Sequence, residues 1–276
     1  MNLLNEIKQQ YKSGDVSQKL IFINILVFIL GAFFFNFASN QFQYPNWLAL
    51  SSDYKDVLWF PWTLLTYGFL HSEPIHLIFN LIFLYYISTL FFTFFNTRQF
   101  LTVYFLGSFF AGLIFVAYGY FFNYSNLIVG ASASIMAVFI AVATFAPYYS
   151  LRLPLIGYVK IWHLAALYLF IDVAQLLSEN TGGHIAHLSG SVVGFAFVML
   201  MKKGIDISEI FIFKKKKNTT FKKVYKNKPV KKYQSVRVAD VNFTQRQIDE
   251  ILDKISKSGY DSLTKEEKEF LFKENK

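Results

Sequence analysis

Six stretches of this 276-residue chain are long and apolar enough to lie inside a bilayer, and they limit the fold before any motif is read. They cover residues 19–38, 74–95, 98–122, 130–146, 160–177 and 184–201. A helix needs about 20 mostly apolar residues to cross the hydrocarbon core. In lipid the backbone must satisfy its own hydrogen bonds, which leaves helices or closed barrels. Continuous apolar runs, rather than alternation at every second residue, select helices. The expected fold is therefore all-α, a polytopic membrane bundle of six transmembrane helices. The fourth and sixth stretches are short, which suits helices surrounded by other helices rather than by lipid.

Charge divides the chain. Charged residues make up 16% of it, against about 25% in soluble domains. Residues 1–201 hold 7 Lys/Arg and 7 Asp/Glu, whereas residues 202–276 hold 20 and 11, so the whole net charge of +9 lies in the tail. Four segments follow: a polar N-terminal lead (1–18), a six-helix membrane domain (19–202), a polybasic linker (203–243) and a small helical C-terminal segment (244–276). There is no cysteine, which excludes disulfides, thiolate chemistry and cysteine metal sites. The lead has no apolar core followed by a small-residue cleavage site, so the first apolar run is expected to be a retained helix.

Positive residues in the short connections set the orientation. Lys8, Lys12, Lys19, Arg98, Arg152, Lys160, Lys202 and Lys203 fall on one side, and Lys55 alone on the other. Both termini are then cytoplasmic, in a cell (inner) membrane. The connection over 39–70 carries Trp47, Trp59 and Trp62 with Tyr44, Tyr54 and Tyr67, residues that favour the headgroup layer. The basic tail reads equally as a solvated linker or as a segment drawn to anionic inner-leaflet lipid by about 1 kcal/mol per basic residue near the surface. No nucleic-acid-binding fold accompanies that charge, so nucleic acid is not an expected partner. Beyond it, Thr244–Gln247 and Thr264–Glu267 each have the form of a capping box, with Ile248, Ile251, Leu252 and Ile255 at helical spacing between them and Gly259 as a stop.

Polar groups inside apolar helices are costly and need partners. In this orientation the second, fourth and sixth stretches all begin at the outer face. His76 and Asn80, Ser132, and His187 then share a depth within about 10 Å of that face, at 1.5 Å per helical residue. Gly190 and Gly194 form a small-residue strip just after His187, and Ala133, Ala137 and Ala141 form another just after Ser132. Such strips let helix backbones approach closely. Packed together, they bring Ser132 and His187 to adjacent positions. A serine needs a base to become a nucleophile, and His187 can be that base. Asn80, His76 and the Ser132 N–H are candidate donors to an oxyanion.

Single residues have plainer readings. Ser132 alone reads as a helix cap and His187 alone as a packed ring. His71 reads as structural, His163 as bland, His184 as a residue of the water boundary, and Asp172 as half of an interhelical hydrogen bond. No carboxylate stands out as a third member beside Ser132 and His187, although Asp172 lies near the same outer level and could orient a neighbour. A ligand set of His76, His184 and His187 is the rival chemistry. The zinc-protease pattern His-Glu-x-x-His is absent and no acidic residue lies in the second, fourth or sixth stretch, so neither metal nor cofactor is expected. A transporter would need broken helices repeated at the midplane, and none is seen.

Gly130-x-Ser132 opening one helix, Ala186-His187-Leu188-x-Gly190-x-x-x-Gly194 opening a later one, and His71, His76 and Asn80 following Pro61-Trp62 together resemble the rhomboid intramembrane serine proteases. The resemblance covers about residues 19–202, with the motifs in the family's order. It implies Ser132 as nucleophile, His187 as general base, and His76 and Asn80 in the oxyanion hole. It also implies cleavage of single-pass transmembrane substrates near the outer face. Ala133 stands where the family usually has glycine, and the family's Trp-Arg pair in the first loop is missing. A second reading, a catalytically inactive relative that binds transmembrane helices, rests on Ala133.

Overall fold

The structure, a computed structural model, describes residues 3–35, 37–38, 41–154, 156–177, 180–210 and 238–273. A lead helix α1 (Leu3–Ser13) precedes α2 (Val16–Phe34). Asp15 caps α2 by accepting from the Gln18 N–H at 3.0 Å, which starts the helix ahead of the apolar run. A hairpin of β1 (Phe37–Ala38) and β2 (Gln41–Phe42) follows. The aromatic connection then forms β3 (Leu50–Ser51), α3 (Tyr54–Trp59), α4 (Thr63–Thr66) and a 3-10 turn over Tyr67–Phe69. Its tryptophans are tied in by backbone: Trp62 Nε1 donates to Trp47 O at 2.7 Å. Trp59 remains 79% exposed, an apolar outer surface suited to the headgroup layer.

Pro74 opens α5 (Pro74–Phe94), where its missing N–H costs no helical bond. A reciprocal capping box of Asn96 and Gln99 starts α6 (Thr97–Phe122). Then come β4 (Leu127–Ile128), α7 (Ser132–Phe145), a hairpin of β5 (Ser150–Leu153) and β6 (Gly157–Lys160), α8 (Ile161–Ala174) and α9 (Thr181–Lys202). Of these, α2, α5, α6 and α9 are long and apolar enough to cross a membrane. α7 and α8 have 14 residues each. That is about 21 Å of helix against about 30 Å of hydrocarbon.

The expected bundle is thus mostly helical, with three two-stranded antiparallel pairs added among the described residues. One of them matters for the site. β3 pairs with β4, Leu50 opposite Ile128 and Ser51 opposite Leu127, so the first loop is bonded to the segment that leads into α7. Ser52 extends the tie, since its hydroxyl donates to Tyr124 O at 2.7 Å and accepts from Asn126 N–H at 2.9 Å. Two-residue strands are too short to leave a periodic pattern in a sequence.

α7 is the centre of the bundle. Every residue from Ala133 to Ala143 is buried, against α5, α6 and α9. The expected packing of small-residue strips is present. A Cβ placed on Gly190 would land on the carbonyl oxygen of Ala133, and one on Gly194 would land on that of Ala137. Only glycine lets the α9 backbone lie directly on α7 there. On the α6 side, a Cβ on Gly107 would reach the Ala137 Cβ at 2.6 Å. Ala133 belongs to a buried cluster with Leu50, Tyr67, Phe115, Ile128 and Ala186.

The chain's second compact unit lies within residues 215–276 and contains α10 (Val238–Ser258) and α11 (Lys265–Lys273). The Thr264 box is realised: Thr264 Oγ1 accepts from Glu267 N–H at 3.3 Å and Glu267 Oε2 from Thr264 N–H at 2.8 Å. The Thr244 box is not a helix start. α10 already runs from Val238, because no proline or glycine interrupts the six residues before Thr244. Residues 211–237 of the expected polybasic linker lie outside the described residues.

Candidate active site

The turn before α7 is held from two directions. Gly130 has φ +130°, a conformation that side-chain-bearing residues avoid. Its N–H donates to Tyr67 O at 2.9 Å, fastening it to the 3-10 turn of the first loop. Ala131 occupies the N-cap, so Ser132 is the first helical residue and its hydroxyl does not cap. The first helical bond in α7 is Ile135 N–H to Ala131 O. The N–H groups of Ser132, Ala133 and Ser134 therefore have no acceptor within the helix, and they carry the positive end of its dipole. Ser132 keeps partial exposure, whereas the eleven residues that follow it are buried.

α5 brings His76 to this turn. A Cβ on Gly130 would sit 2.8 Å from His76 Cε1, 3.0 Å from His76 Nε2 and 3.7 Å from Ser132 Oγ. The imidazole and the serine hydroxyl thus border one small space, open because residue 130 has no side chain. Asn80 is buried, and one of its amide hydrogens is given to His76 O at 2.9 Å. It is anchored to its own helix, with a second N–H remaining.

His71 packs beside this group, its ring centroid 5.1 Å from that of His76, and its carbonyl accepts from Tyr44 Oη at 3.0 Å. Burial holds its imidazole down at about 3, the neighbouring His76 adds to that, and the nearby Phe69 backbone acts against it. An unfolded chain protonates His71 near pH 6.5, the folded chain only near 3. The stabilisation is therefore intact above about pH 6.5 and is lost as pH falls toward 3. At pH 5 the cost is about 2 kcal/mol at 1.36 kcal/mol per unit. Thermal unfolding in detergent is expected to shift downward from pH 7 to pH 5, and less steeply in His71→Phe. Equal slopes in the two proteins would count against this.

α9 brings His187. The helix starts at Thr181, three residues before the apolar stretch, so His184 lies a turn inside it. The Gly190–Ala133 contact sets Ser132 and His187 at the same end of the α7–α9 interface. Among the described residues no hydrogen bond joins them. The Nδ1 of His187 instead lies 2.9 Å from Asp172 Oδ1 on α8, and Tyr168 of α8 places its ring 6.2 Å from the His187 ring.

Two sequence expectations change here. His184 is not a water-boundary residue: it is buried, with Nδ1 2.8 Å from the same Asp172 oxygen. Asp172 does make an interhelical hydrogen bond, but to His187 itself, so a carboxylate stands beside the candidate base after all. The signal available was that Asp172 is the lone acidic residue in the six apolar stretches. His163, exposed beside Trp162, takes no part. The nitrogen and oxygen donors of Asp172, His184 and His187 lie within 4.8 Å of one another, close enough to share a cation. His76 is not among them. The 2.8 and 2.9 Å separations are those of charge-assisted hydrogen bonds, and we read them as such.

Comparison with known families matches residues 59–204 to the rhomboid domain and residues 232–273 to a family of unknown function. No individual curated protein matches the chain. The rhomboid match takes in more than half of the chain, from Trp59 of the first loop through α9, with the Ser132, His76 and His187 turns inside it. By that match, and by its four long apolar helices, the chain is a multi-pass membrane protein that belongs to the rhomboid family.

Proposed function

We propose that this protein is an intramembrane serine endopeptidase that cleaves single-pass, membrane-anchored proteins near the outer face. The observation that carries the proposal is the part-exposed, uncapped Ser132 opening a buried helix, with His76 against the same turn and His187 at the same end of the adjoining helix. Ser132 Oγ attacks the scissile carbonyl carbon while His187 Nε2 takes its proton. The carbonyl oxygen becomes an oxyanion at the free N–H groups of the first turn of α7, aided by His76 and the second N–H of Asn80. As the C–N bond breaks, His187 returns the proton to the leaving amine. Water then hydrolyses the acyl-serine by the same base.

The length of α7 supports this site inside a membrane. About 21 Å of helix leaves about 9 Å of hydrocarbon depth unspanned, enough for water to reach Ser132 from one side. We place both termini in the cytoplasm of a cell membrane crossed six times, with the basic tail against anionic inner-leaflet lipid.

A serine-directed fluorophosphonate tests the nucleophile. Purified full-length protein in detergent is expected to be labelled, and Ser132→Ala, folded to the same melting temperature, is not. Absence of labelling in the wild type would leave the inactive, helix-binding relative as the better reading.

A further inference from the structure

We propose that Asp172 is the positioning carboxylate of His187, holding and orienting the base of the Ser132–His187 dyad. The inference rests on the protease reading above.

Asp172 is 1% exposed and is the lone acidic residue of the largely apolar α8. A carboxylate in such a place must be strongly hydrogen-bonded. Its Oδ1 receives both contacts, His184 Nδ1 at 2.8 Å and His187 Nδ1 at 2.9 Å, while Oδ2 is buried without a hydrogen-bond partner among the described residues. An ionised carboxylate only accepts, so each contact requires a proton on the Nδ1 that makes it. In neutral His187 the lone pair is then on Nε2, across the ring from Asp172. That nitrogen is the one the mechanism needs as base, and the tautomer is assigned by the carboxylate.

His184 adds a second constraint. It stands one turn before His187 on the same helix and shares the same oxygen, so the carboxylate is held from two points of α9. Asp172 cannot then rotate away when His187 becomes an imidazolium. Among the described residues, Tyr168 from α8 and His76 from α5 also lie near His187. Neither is an anion at neutral pH, which leaves Asp172 as the group that balances the charge of the transition state.

A merely structural clamp between α8 and α9 would use the same contacts, and the kinetics separate the two. The test uses full-length protein in detergent, a model single-pass substrate with a helix-destabilised segment, and the fluorophosphonate. In Asp172→Asn the amide can point its N–H₂ at Nδ1 and drive the ring proton to Nε2. We expect kcat to fall about 100-fold or more, KM to stay within about twofold, and the melting temperature to hold. Asp172→Glu, which keeps a carboxylate, is expected to recover part of kcat.

The proposal is overturned if Asp172→Asn keeps kcat within about threefold of wild type. It is also overturned if stability falls together with both kinetic constants and Glu restores nothing, which is the structural clamp. Loss of wild-type activity on chelation, restored by zinc, would overturn it too, in favour of a cation held by the three residues. If wild type itself shows no Ser132-dependent labelling, the protease reading fails and this inference goes with it.

Discussion

Ser132→Ala is expected to lower turnover of a membrane-anchored model substrate by about 10⁴-fold or more, and His187→Ala by a comparable factor. The double variant should be little worse than either single one, because residues that act in one proton transfer fail as a unit. Neither change should disturb the fold. Ser132 makes no capping bond, and the α7–α9 contact is carried by glycines and alanines rather than by the imidazole. The measurement is gel-resolved cleavage in detergent or reconstituted vesicles, with melting temperature as the control. Cleavage that survives Ser132→Ala would remove the nucleophile from the proposal. Losses that simply add in the double variant would mean the two residues do not share a step.

Gly194→Ala is expected to cost about 3 kcal/mol or more, at the upper end for overpacking. The reason is what the new methyl meets. It would land on the Ala137 carbonyl oxygen and lie 3.0 Å from the Ala141 N, both backbone atoms of a helix packed on every side. A flexible side chain could swing away, but backbone cannot. The helices must separate over the interface that also aligns Ser132 with His187, so labelling by fluorophosphonate should fall along with stability. Val192→Ala, on the exposed side of the same helix, is the control, expected to shift stability by under about 1 kcal/mol. A Gly194→Ala protein as stable as the control would show that the interface is looser than described.

Much of the bundle was legible because bilayers impose so few solutions. The apolar stretches became helices with shifted ends: Asp15 caps an earlier start of α2, which ends at Phe34, and α9 opens at Thr181. The strip of Gly190 and Gly194 on Ala133 and Ala137 could be read from spacing, since small residues four apart share a helix face. What could not be read depends on neighbours brought by tertiary packing. The β3–β4 tie joins two-residue segments with no period of their own. The pairing of Asp172 with His184 and His187 depends on how far α8 is rotated against α9, which the apolar pattern of α8 leaves open. Asn80 looked free for an oxyanion, yet one of its donors bonds its own helix, a choice the rotamer makes.

The strand pair that fastens residue 50 to residue 128 has a consequence for how the protein is made. Ser132 takes its place on a turn braced by Tyr67 and β3, which emerge early from the ribosome, and meets His187 on α9, which is synthesised well after them. Contacts so distant along the chain form late in folding. A partly inserted chain, with α7 in the bilayer but α9 still unmade, therefore holds a serine with neither a base nor a closed interface. If the protein is the protease proposed above, competence arrives only with α9, and the nascent chain is harmless to its neighbours until then.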